Sequence, residues 1–185
     1  FAAAVELVLA DLAAFDAQGE LSIGPPDKPA DITLDLHGTE QLVTLNTIRL
    51  KQAKGGLNAS GTIRLQPDIG WEIDAIADQL DPGAFAADWP GALDFVLASS
   101  GQMTDKGPTG TLTFESLTGS LRQRPISGSA DLRMDPGYIV DGTLALKSGD
   151  SSLAIDGKGG TSTDANIRFD IASLGKDSTG LVIDV

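Results

Sequence analysis

Leu57-Asn58-Ala59-Ser60-Gly61-Thr62-Ile63-Arg64-Leu65-Gln66 alternates without a break: Leu57, Ala59, Gly61, Ile63 and Leu65 are apolar or glycine, and every residue between them is polar. A repeat of two is the repeat of a β-strand, whose successive side chains point to opposite faces. The stretch therefore predicts a strand with one greasy face and one wet face. The same signature returns at Ile126, Gly128, Ala130, Leu132 and Met134, and again at Val140, Gly142, Leu144 and Leu146. A glycine inside a strand weakens it and marks a bend, a bulge or a close approach. Glycines repeated on the apolar side predict a sheet that folds around that side into a trough.

Outward from this stretch the alternation covers most of the chain. Ile32, Leu34, Leu36 and Gly38 oppose Asp31, Thr33, Asp35 and His37, and Ile48 and Leu50 oppose Arg49 and Lys51. Gly55-Gly56 reads as the hairpin turn into the strand that begins at Leu57. Trp71, Ile73, Ala75 and Ala77 alternate with Glu72, Asp74 and Asp78, although Ile76 interrupts the polar side. The opening residues fit a helical stripe (Phe1, Val5, Val8, Leu12, Phe15) as well as a strand (Val5, Leu7, Leu9), and we read them as strand. The period is lost once, over residues 80–91, where Asp81 can cap and Pro82 can start a short helix that ends before Pro90; one or two helical turns are expected near 81–88. About a dozen strands result, spanning roughly 55–60 Å at ~4.8 Å per strand.

The chain of 185 residues is 41% hydrophobic, and its 9 prolines and 22 glycines are scattered between short strands with no linker separating two halves. Residues 1–185 read as one continuous β unit, and the strand character running from the first residue to the last suggests a piece of a longer protein. A net charge of −13 opposes binding to nucleic acid and to anionic membrane surfaces. The absence of cysteine excludes disulfides and thiolate chemistry. No apolar run reaches the ~18 residues of a membrane helix.

Each inward Leu, Ile or Phe left in water forgoes about 1.5–3 kcal/mol, so a dozen wet ones would exceed the ~5–15 kcal/mol that holds a domain folded. The sheet bent double, a bound apolar ligand, or both must cover that face. Enzyme readings fare poorly. The single histidine, His37, lies on a polar face with no partner evident from spacing, and no two carboxylates are singled out for acid–base work. The stretch Asp156-Gly157-Lys158-Gly159-Gly160-Thr161-Ser162 lacks the ending of a phosphate loop and reads as a flexible hairpin connection. Asp150, Asp156 and Asp164 fit neither an EF-hand loop nor a nonapeptide calcium repeat. Trp71 and Trp89, candidates for a sugar platform, read as packing residues.

Trp71-Glu72-Ile73, Leu80-Asp81-Pro82, Trp89-Pro90-Gly91-Ala92-Leu93, the isolated Gly101, Leu117-Thr118-Gly119-Ser120-Leu121 and Pro125-Ile126-Ser127-Gly128 occur in an order that resembles the TamB family, within the broader AsmA-like group. The resemblance implies an all-β fold: a long, curved, mostly antiparallel sheet folded into a U-shaped hydrophobic groove, a β-taco. It implies a periplasm-spanning protein of a Gram-negative bacterium, anchored in the inner membrane and reaching toward the outer-membrane partner TamA. It also implies carriage of phospholipid acyl chains between the membranes, with no cofactor and no metal. On this reading Ile63, Leu65, Trp71, Ile73, Leu93, Phe95, Leu97, Leu112, Phe114, Leu132, Met134, Leu144, Leu146, Ile155, Ile167 and Phe169 line the groove. The alternatives are a chaperone that pairs client strands by β-augmentation in outer-membrane protein assembly, and a structural β-solenoid stalk.

Overall fold

Short turns join nearly every strand to the next, and a chain built this way can only lay its strands side by side in sequence order. The computed structural model describes residues 3–11, 14–25, 28–160 and 164–170, with the backbone alone in 3–11, 164–165 and 169. The strands are β1 (Ala3–Asp11), β2 (Ala14–Ile23), β3 (Ala30–Thr39), β4 (Leu42–Gln52), β5 (Gly55–Arg64), β6 (Gly70–Leu80), β7 (Gly91–Thr104), β8 (Gly107–Leu121), β9 (Arg124–Asp135), β10 (Ile139–Ser148), β11 (Ser151–Gly159) and β12 (Asp164–Asp170). They form one 12-stranded sheet in the order β1 to β12, each antiparallel to its neighbours. The strand reading of the opening residues holds for the backbone of β1 and β2.

Three local readings differ from expectation. The turn between β4 and β5 is Ala53-Lys54, and Gly55-Gly56 already pairs with Gln52 and Lys51 as the start of β5. The helical segment is a single 3-10 turn at Pro82–Ala84, shorter than 81–88, capped by the Asp81 carboxylate accepting from the Gly83 N–H. Of the stretch 156–162, residues 156–159 are not a hairpin connection but the end of β11, with 156–158 paired on both sides and Gly159 to β10 alone, because Gly157 and Gly159 keep the apolar parity of Leu153 and Ile155; Thr161 and Ser162 lie outside the described residues.

The register aligns the apolar parity of successive strands into rows that run across the sheet. One row is Gly19, Leu34, Ile48, Ala59, Ala75, Leu97, Phe114, Ala130, Leu144, Ile155 and Ile167, from β2 to β12. Beside it run Leu21, Ile32, Leu50, Leu57, Ala77, Phe95, Leu117, Gly128, Leu146, Leu153 and Phe169. On its other side run Ala17, Leu36, Leu45, Gly61, Ile73, Ser99, Leu112, Leu132, Gly142 and Gly157, then Phe15, Gly38, Val43, Ile63, Trp71, Gly101, Gly110, Met134, Val140 and Gly159.

Bulges keep these rows intact where the sequence changes parity. In β4 the apolar side passes from Val43 and Leu45 to Ile48 and Leu50, because Asn46 and Thr47 together oppose Ser60. In β8 it passes from Leu112 and Phe114 to Leu117, Gly119 and Leu121, because Glu115 and Ser116 oppose Ser129. In β6, Asp78 and Gln79 oppose Asp94, and the Gln79 N–H released from the ladder donates to Asp94 Oδ1 at 2.9 Å. An inserted residue leaves the ladder but lets both halves of the strand present one face.

Every substantial contact between strands is between chain neighbours, so among the described residues no strand lies over another. The sheet is a single layer, neither closed nor strongly curled. Bending double is therefore not what covers the apolar face here. Among the described residues no large side chain is fully buried, and the buried apolar residues are small apart from Leu45: Ala30, Ala75, Ala77, Ala84 and Ala130. The other described Leu, Ile and Phe side chains of the rows are left partly in water. Sheets gain their stability by packing a face on something, so this face is built to be covered.

Candidate functional site

The rows, from β2 to β12, make a strip of apolar surface about 48 Å long in the hydrogen-bonding direction, at ~4.8 Å between neighbouring strands. Its relief comes from side-chain size. Gly101 and Gly110 stand side by side in β7 and β8, as do Gly142 and Gly157 in β10 and β11, so bare backbone floors the strip between taller neighbours. Two depressions follow. One, of about 290 Å³, is lined by Trp71, Ser99, Gly110, Leu112, Leu132, Met134 and Val140 among others. The next, of about 310 Å³, shares Leu132 and Val140 with it and continues over Gly142, Leu144, Ile155, Gly157 and Ile167. Together they form one apolar trough across β7 to β12.

Two of the glycines are required by geometry. Gly142 has φ 144°, and a Cβ there would run into the Asp131 carbonyl oxygen of β9. At Gly101 the indole of Trp71 lies over the backbone, where any side chain would overlap the ring. The indole N–H donates to Ser99 Oγ at 3.0 Å, which satisfies the only polar atom of that ring and explains a serine in an apolar row. Phe95 and Phe114 meet with centroids 5.5 Å apart at an interplanar angle of 57°.

Of the residues expected to line a groove, Ile63, Trp71, Ile73, Phe95, Leu97, Leu112, Phe114, Leu132, Met134, Leu144, Leu146, Ile155 and Ile167 stand in the four rows. Leu93 stands in a shorter flanking row opposite Leu80 and Gly119. Phe169 pairs in register with Leu153, and its side chain lies outside the described residues. Leu65 falls one residue past β5, is 39% exposed and belongs to no row. The same face also holds Leu34, Leu36, Leu45, Leu117, Val140 and Leu153, which the alternation itself marked or the bulges brought into line.

The outward face carries the charges. Ile76, the interruption in the polar side of β6, is 58% exposed and lies beside Val96 there. His37 does have a partner, because the β2–β3 register brings Asp16 opposite: its Nδ1 lies 2.7 Å from Asp16 Oδ1. Trp89, 48% exposed, lies under the Arg122 guanidinium at 5.4 Å from the ring centroid. Among the described residues no cluster of three metal-type side chains occurs, and Asp156 sits in mid-strand opposite Thr143.

One edge of the sheet is shaped by the 81–90 connection. The Gln52 amide clasps the backbone of Asp81, donating to its carbonyl at 2.9 Å and accepting from its N–H at 2.8 Å. The Asp81 carboxylate accepts from the Gly83 and Gly91 N–H groups at 2.8 and 2.9 Å, and Lys28 Nζ stands 3.6 Å away. Partial burial pushes this carboxyl up, but the two backbone donors and the Lys28 charge outweigh it and hold it below its ordinary value. Ala30, Gln52, Gly83 and Ala84 are buried as a result. Beside them opens a cleft of about 220 Å³ lined by Lys28, Gln52, Lys54, Gln79, Asp81 and Gly91 among others.

A protein-family model described as TamB, N-terminal domain, matches residues 11–182. No solved structure matches the chain.

Proposed function

Because the chain belongs to the TamB family, we propose that its apolar face carries phospholipid acyl chains as one segment of a conduit between the inner and outer membranes. Proteins of this family are in general periplasmic, anchored in the inner membrane, partnered with TamA and non-enzymatic in transport and assembly. The observation that carries the reading is the unbroken register of apolar rows across the sheet, left half-exposed with no second layer over them.

The physics needs no catalytic group. A hydrocarbon chain laid in the trough gains ~0.8 kcal/mol per CH₂ removed from water, and it covers Leu and Ile side chains that the sheet alone leaves wet. Rows of near-uniform chemistry let the chain slide with no deep minimum, while the polar outer face stays in water. In the full-length protein such sheets would curl into the β-taco groove, the glycines of the apolar side allowing the bend. The lining residues are those named above on the rows, with Leu132 and Val140 joining the two depressions.

A photo-crosslinking amino acid at Leu132 or Leu144 of the full-length protein should yield phospholipid adducts, and Leu144→Asp should stop lipid transport while the protein stays folded. Peptide adducts in place of lipid, or undiminished transport by a folded Leu144→Asp protein, would overturn the conduit and favour the chaperone.

A further inference from the structure

We propose that the cleft at the ends of β3, β4, β6 and β7 is a phosphate-binding subsite that holds the head group of a phospholipid at one rim of the apolar face. This rests on the acyl-carrying reading of that face and adds to it a place for the charged end of the lipid.

The edge at the Ala53-Lys54 turn carries Lys28 and Lys54 in the cleft itself. Arg122 and Arg124 follow along it in the β8–β9 hairpin, which is tied to the connection by the Arg122 N–H donating to the Pro90 carbonyl at 2.7 Å. Asp88 and Asp150 lie on the same edge, and the opposite edge has Arg64 and Lys106 beside the exposed Leu42, Leu65, Ile69 and Met103, so it is the cleft and not the edge that is distinctive. In a chain of net charge −13, a cleft lined by two lysines and one carboxylate is a place where an anion is drawn in.

The one carboxylate in the cleft does not spoil this. Asp81 spends its oxygens on the Gly83 and Gly91 N–H groups and on Lys28. Among the described residues Lys54 stands in no ion pair. It occupies a two-residue turn whose direction is set by Gly55, and it reaches the cleft with its ammonium uncommitted. Gln52 stands on the same side of β4 as Ile48 and Leu50, so the cleft begins where the apolar row ends. A phospholipid with its tails on the rows would bring its phosphate to this rim, within the class of charge-assisted hydrogen bonds that lysine makes with phosphate.

The test compares binding by the 185-residue chain of dioleoylphosphatidylglycerol and of dioleoylglycerol, which has the same tails and no phosphate, each delivered from methyl-β-cyclodextrin in phosphate-free buffer so that no other phospholipid is present. The phospholipid should bind about fivefold or more tightly, Lys54→Ala should bring it close to the diacylglycerol value, and Lys54→Arg should keep the preference. Diacylglycerol binding should be unchanged in both variants. A preference that survives Lys54→Ala, or equal binding of the two lipids, overturns the subsite and leaves the acyl-carrying face standing. Failure of both lipids to bind overturns that face, and the subsite with it. Inorganic phosphate, titrated alone and followed by ³¹P NMR, separates the sources: saturable Lys54-dependent binding of the free anion without a phospholipid preference would make this an anion site and not a head-group site.

Discussion

Asp81 shows how much a single carboxylate can organise in a connection with little regular structure. The 81–90 segment has one turn of 3-10 helix and no strand partner, yet it folds back toward the end of β4 and the β2–β3 connection, where Lys28 stands by Asp81, because Asp81 receives two backbone N–H groups and Gln52 grips its peptide from the other side. Replacing Asp81 by Ala should cost about 1–2 kcal/mol, the range for a lost capping carboxylate, and is measured by urea unfolding at pH 7. The pH dependence has a definite sign. The carboxyl titrates lower in the folded chain than its ordinary value of 3.8, so the unfolded chain binds the proton more readily. Its contribution is therefore fully present well above that value and drains away as pH falls through the lower folded value. The gap between the native chain and Asp81→Ala should hold from neutral pH into mild acid and then narrow, and a gap constant down to pH 2.5 would contradict the assignment. Asp81 and Pro82 were legible in the sequence as a cap and a helix start. The Gln52 amide was not, because its partner lies across two strands and two turns.

At the scale of elements the bulges decide the result. Alternation in the sequence predicts strands, but a change of parity within one run reads equally as two strands with a turn between. The residues Leu112, Phe114, Leu117, Gly119 and Leu121 lie in one strand because Glu115 and Ser116 share a single partner in β9. Deleting Glu115 alone removes only the extra residue and keeps the face, whereas deleting Glu115 and Ser116 together should turn Leu117, Gly119 and Leu121 to the wet face and face Thr118 and Ser120 inward. The loss is put at about 2–4 kcal/mol from the two half-buried leucines, read as a lower urea midpoint of the chain. Putting a single serine back between Phe114 and Leu117 in that double deletion should recover most of it. Unaltered stability on the double deletion would mean that the face imposes no register. The same reasoning explains residues 156–159. Glycine-rich sequence reads as loop by composition, but Gly157 and Gly159 occupy the apolar parity where the trough needs a floor, and the ladder keeps them extended.

As a whole molecule the chain is a sheet awaiting cover. With no strand over another and no large side chain fully buried among the described residues, their stability rests on backbone ladders and half-covered cross-strand pairs. Anything apolar that binds the folded face and not the unfolded chain must raise stability by RT ln(1 + [L]/Kd), about 2.7 kcal/mol at a hundredfold excess over Kd. Octyl glucoside below its micelle concentration should therefore raise the melting midpoint of the chain with the logarithm of its concentration, and Leu132→Asp should blunt the rise. A flat response would show that the face has no use for hydrocarbon. The strands, the sidedness of each, the helical punctuation at Asp81-Pro82 and the lack of a nucleophile or metal motif were determined by the sequence alone, because period and residue type act locally and need no partner. The joining of the rows, the trough where Leu132 and Val140 meet two depressions, the pairing of His37 with Asp16 and the lysine-lined cleft were decided only by tertiary structure. Each depends on the register between strands, and register is set by bulges and turns that bring together residues the linear order keeps apart.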